Sequence, residues 1–71
     1  MLSTTELNRE IDIFKLHDVK NLRKYKNKLA SYKRSVTAYE STGLGGPDLY
    51  RLCCESVSVM QQVLDHFNRN F

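Results

Sequence analysis

Tryptophan is absent from this sequence, proline occurs once, glycine three times and cysteine twice, and the two cysteines are neighbours at 53 and 54. Neighbouring cysteines cannot form the spread framework of bridges that staples small secreted domains, so no disulfides and a reducing compartment are expected. No apolar run approaches the roughly 18 residues needed to span a bilayer. The opening stretch, MLSTTELNRE, lacks the basic-then-apolar order of a signal peptide. An intracellular protein is expected, in the cytoplasm or nucleus or inside a host cell. With 41% hydrophobic and 27% charged residues, the composition argues against disorder and low complexity.

The sharpest absence is of acid. Residues 19–39 hold Lys20, Arg23, Lys24, Lys26, Lys28, Lys33 and Arg34 and not one Asp or Glu. Residues 1–18 set Arg9 and Lys15 against Glu6, Glu10, Asp12 and Asp18, and residues 40–71 are again net acidic. The overall charge of +3 therefore conceals a strongly basic middle, a layout that points to an anionic partner.

At 71 residues the chain is one small domain, 1–71. A core of that size rarely contributes more than about 3–5 kcal/mol, so association with another chain is a common supplement. Periodicity predicts an all-α fold. Ser3 to Glu6 has the form of a capping box, and Leu7, Ile11 and Phe14 follow at helical spacing, giving helix A over about 5–17. The pattern stumbles at KLHDVKN, where Asp18 suits the N-cap of a new helix. Helix B, about 19–40, carries Leu22, Tyr25, Leu29, Tyr32, Val36 and Tyr39 in alternating steps of three and four, a heptad-like apolar seam. Three glycines and Pro47 then mark a loop at 41–46, and Pro47 suits the first position of helix C, about 47–70. Helix C repeats Cys53, Val57, Met60, Leu64, Phe67 and Phe71, and Leu49, Leu52, Val59 and Val63 widen the stripe. A stripe that wide needs more than one neighbour, so helix C is expected to be the most buried. The expected architecture is a short N-terminal helix plus an antiparallel helical hairpin, paired as a dimeric helical bundle. The dimer or partner interface is assigned to Leu49, Leu52, Cys53, Val57, Met60, Leu64 and Phe67.

Each motif has a plain alternative. Tyr25, Tyr32 and Tyr39 stand one heptad apart and could stack on bases, but their register with the apolar seam makes them packing residues. Cys53, Cys54, His17 and His66 lack the paired local spacing of a structural zinc site, because adjacent helical cysteines diverge. Small buried hydrophobes are the better role for the cysteines. GLGG lacks the G-K-[ST] ending and preceding strand of a phosphate loop, and reads as an interhelical turn. No catalytic constellation, metal site or cofactor is expected.

The basic helix is different. Lys20, Arg23, Lys24 and Arg34 point nearly opposite the seam, Lys26 and Lys33 lie on one shoulder, and Lys28 lies on the other. Lys20/Lys24 and Lys24/Lys28 are like-charge i, i+4 pairs, each costing a few tenths of a kcal/mol. All seven bases are the candidate nucleic-acid-binding residues, contacting phosphates with little base readout. Double-stranded RNA is favoured, since its recognition relies on shape and backbone. A non-enzymatic regulator or suppressor is the first expectation. The alternative is a protein-interaction adaptor that docks a larger partner through its apolar helical surface.

Overall fold

Ser3 begins the first helix, α1 (Thr4–Phe14), its hydroxyl accepting the N–H of Glu6 at 3.3 Å. The computed structural model describes residues 2–43 and 45–71. Met1 and Leu44, the latter within the GLGG turn, lie outside the described residues. Among the described residues all regular structure is helical, in three segments: α1, α2 (Val19–Thr42) and α3 (Pro47–Asn70). None is long and apolar enough to cross a membrane.

α1 stops at Phe14, three residues before its expected end. Lys15 takes the left-handed conformation at φ 52° and ψ 48°. Its N–H donates to the Asp12 carbonyl at 3.3 Å, and the Leu16 N–H donates to the Ile11 carbonyl at 3.2 Å. This pair of bonds is a Schellman motif, which closes the orphan carbonyls of a helix end and brings together the apolar residues on either side. Leu16 and Ile11 are both essentially fully buried. A lysine in the left-handed region costs roughly 1–2 kcal/mol, and the burial of Leu16 offsets it. Asp18 then starts α2, its carboxylate accepting the Lys20 N–H at 2.8 Å. The Asn21 amide braces the turn by donating to the Lys15 carbonyl at 3.3 Å.

The seam of α2 faces inward. Tyr25 and Leu29 are buried, and Leu22, Tyr32, Val36 and Tyr39 are half-buried. α2 continues to Thr42, and Gly43 (φ 71°) ends it with its N–H on the Tyr39 carbonyl at 2.8 Å. A positive φ of this kind is where glycine is needed. Gly45, also at positive φ, leads through Gly46 into α3, with Pro47 in the first turn. α3 has the most buried residues: Cys53, Met60, Val63, Leu64 and His66.

One core unites the three helices: Leu7, Ile11, Leu16, Tyr25, Leu29, Met60, Val63 and Leu64. α2 touches α3 through a stacked Tyr39–Tyr50 pair, ring centroids 4.5 Å apart. Further along, Lys33 Nζ donates to Gln61 Oε1 at 2.9 Å. α1 lies against the later part of α3. There the Leu2 N–H donates to Gln62 Oε1 at 3.1 Å, and Asn8 meets His66. Eleven residues reach only about 16 Å at 1.5 Å per residue, so α1 covers less than half of a helix of about 36 Å. Consequently Val63 is fully buried, whereas Leu49, Leu52 and Val59 of the same stripe remain exposed.

Substitution of Leu16 by Ala should cost about 2–5 kcal/mol in a urea unfolding experiment, although this residue belongs to no helix. Replacing Lys15 by Gly should raise stability by up to about 1 kcal/mol, because glycine adopts the left-handed conformation without the Cβ penalty.

Candidate nucleic-acid interface

α2 has 24 residues and would measure about 36 Å at 1.5 Å per residue, close to the 38 Å long axis of the molecule. Its cations, from Lys20 to Arg34, span about 21 Å of that length. Lys20, Arg23, Lys24, Lys26, Lys28, Lys33 and Arg34 are all exposed. Among the described residues none of the seven is ion-paired, and Lys33 alone has a side-chain hydrogen-bond partner, the neutral amide of Gln61. The acid that α2 does carry, Glu40, sits at its far end and accepts the Tyr50 hydroxyl proton at 2.8 Å. An α-helix turns about 100° per residue, which puts Lys20, Arg23 and Arg34 on the side away from the buried Tyr25 and Leu29. Carboxylates of α1 and α3 do not neutralise that side. Chemically it is a set of exposed, unpaired donors suited to phosphate oxygens.

The residues assigned to a dimer or partner interface divide into two groups. Cys53, Met60 and Leu64 are buried inside the chain's own core, and Val57 and Phe67 are half-buried against it. Leu49 and Leu52 stay 55% and 58% exposed. The distinction was not visible in a stripe whose members all have helical spacing. It depends on which side α1 and α2 approach.

Between the helices lies a feature the sequence did not announce, a cleft of about 550 Å³. It is lined by Leu52, Ser56, Val59 and Met60 of α3, Tyr25 and Tyr32 of α2, and Phe14 of α1. Lys24 and Lys28 of α2, Glu55 of α3 and Glu10 of α1 also line it. Phe14 packs edge-on against Tyr25 at 5.1 Å yet remains 45% exposed, and Val59 remains 38% exposed. A smaller cleft of about 170 Å³ near the loop is lined by Tyr39, Leu49, Tyr50 and Cys53 among others.

The histidines are occupied by packing. The Asn8 side-chain oxygen Oδ1 can only accept, so His66 Nε2 donates to it at 2.8 Å. The Asn70 amide nitrogen can only donate, so His66 Nδ1 accepts from it at 3.2 Å. These two partners specify the neutral Nε2–H tautomer of a buried imidazole. His17 lies against the Phe67 and Phe71 rings at 5.5 and 4.9 Å. Both cysteines are free thiols, Cys53 buried and Cys54 half-buried. Among the described residues no three His, Cys, Asp or Glu side chains gather as metal ligands would.

Comparisons of the chain with protein-family models, with curated proteins and with solved structures find no match.

Two of the four tyrosines should ionise late in an alkaline titration followed by tyrosinate absorbance. Burial, with a further push from Glu10, raises Tyr25 from 10.0 to about 12. Donation to the Glu40 carboxylate, followed by Cys54, raises Tyr50 to about 12. Because the folded state favours neutral Tyr25, that contribution to stability is complete below pH 10 and is lost as pH rises toward about 12. Tyr25→Phe should remove one late titration step and flatten the loss of stability across this range.

Proposed function

We propose that the protein is a non-enzymatic helical binder of nucleic acid, holding the phosphate backbone of double-stranded RNA along α2 as a regulator or suppressor. The observation that carries this reading is that the seven cations of α2 are exposed and without an ion pair among the described residues, with Lys20, Arg23 and Arg34 on its outward side. Like charges four residues apart repel by about 0.2–0.5 kcal/mol per pair, and a polyanion would relieve that repulsion while releasing its own counterions. Duplex RNA is the favoured ligand because its wide, shallow minor groove is read by shape and backbone contacts. A helix bearing mostly Lys and Arg can supply such contacts without base-reading amides.

The scaffold in this reading is an antiparallel hairpin of α2 and α3. Support comes from the order of their contacts, Glu40 with Tyr50 and Lys33 with Gln61, where earlier residues of one helix meet later residues of the other. The protein would act as a homodimer. A second reading, an adaptor for a larger protein, is favoured by the exposed apolar residues around the 550 Å³ cleft.

Titration of a short labelled RNA duplex at several salt concentrations tests the first reading. Affinity should fall with salt, the log–log slope gaining about −0.9 per phosphate neutralised. Arg23→Glu together with Arg34→Glu should weaken binding by about tenfold or more while helical content stays the same. A flat salt dependence, or no binding at about 0.15 M salt, would overturn it.

A further inference from the structure

α2 carries two side-chain amides, and the fold uses only one of them. Asn21 donates to the Lys15 carbonyl at 3.3 Å. Asn27 is exposed, and its amide has no hydrogen-bond partner among the described residues. The hydroxyls of the helix divide in the same way. Those of Ser35 and Thr37 fold back on the carbonyls of Ser31 and Lys33 at 3.3 and 3.0 Å. The exposed Ser31 hydroxyl has no partner among the described residues.

Helical register brings these two free groups to the side of the cations. Lys20, Asn27 and Arg34 stand seven residues apart, so at about 100° per residue they form one line down the outward side. Arg23 stands one turn before Asn27, and Ser31 one turn after it. The outward side therefore reads in three parts: Lys20 and Arg23, then the neutral Asn27, Ala30 and Ser31, then Arg34. Arg23 and Arg34, which bound the neutral part, are about 16 Å apart along the axis.

Chemistry separates these parts. Phosphate oxygens accept, and Lys and Arg only donate, so the charged ends suit the backbone of RNA and DNA alike. An amide and a hydroxyl each donate and accept. The ribose 2′-hydroxyl does the same, and A-form RNA displays it in a wide, shallow minor groove. The deep, narrow major groove keeps its base edges out of reach. A helix laid across the minor groove would set its charged ends on the two bordering strands and its neutral middle over the 2′-hydroxyls. Ala30 is small enough to let that middle come close.

We propose that Asn27 and Ser31 are the groups with which this chain tells RNA from DNA, each accepting a hydrogen bond from a 2′-hydroxyl while Lys20, Arg23 and Arg34 hold phosphates. This rests on the duplex-binding reading above and deepens it. The cations supply affinity, and the neutral middle selects the sugar.

Two labelled RNA duplexes of one sequence test it, one unmodified and one carrying 2′-O-methyl groups, which keep the A-form helix and its phosphates but remove the hydroxyl proton. The wild-type chain should bind the unmodified duplex more tightly by about tenfold. Asn27→Ala with Ser31→Ala should weaken binding to that duplex by about tenfold and no longer distinguish the two. Its salt slope should match that of the wild type, because no phosphate contact is lost. Alanine favours a helix, and circular dichroism should show unchanged helical content. Arg34→Ala should do the opposite, reducing the slope by about 0.9 while keeping the preference for free hydroxyls. If the wild type binds neither duplex, the duplex-binding reading and this inference fall together. If it binds both alike, or if the preference survives the double alanine change, this inference alone is overturned and the phosphate contacts stand.

Discussion

The apolar side of α3 is the constraint from which the rest of the molecule follows. It is wider than α2 alone covers and longer than α1 can reach. α2 takes one part through Tyr25 and Leu29, and α1 takes another through Leu7 and Ile11. Val63, between them, loses all contact with solvent. Burying an aliphatic side chain contributes about 1.5–3 kcal/mol, a large share of the stability available to so small a domain. α1 can occupy its site only if the chain reverses sharply afterwards. The left-handed Lys15 and the inserted Leu16 accomplish that reversal, so an unfavourable backbone conformation sits next to one of the most buried side chains.

This arrangement also orders the charges. Once the tyrosine–leucine side of α2 faces α3, its cations have no acidic helix opposite them. α1 and α3 hold most of the carboxylates, yet none of these pairs with the seven bases among the described residues. Exposed ion pairs contribute little to stability, so their absence costs the fold almost nothing. What it leaves is an uncompensated positive side, which is the basis of the proposed polyanion binding.

Much of this was legible from residue spacing, and the exceptions share a physical origin. The inward side of α2 could be read directly, because six apolar positions in faultless alternation specify one direction around a helix. The three helices and the glycine-rich stop after α2 were legible for similar reasons. Phe14 as the end of α1 was not, because Lys15 stands where a glycine or asparagine would have signalled the left-handed cap. His66 also escaped. Its burial depends on Asn8 and Asn70, one of them 58 positions away, and no local pattern encodes such a pairing. The cleft was hidden for a third reason. A wide stripe on α3 predicts two neighbours, but only the lengths of those neighbours determine which part of the stripe stays open.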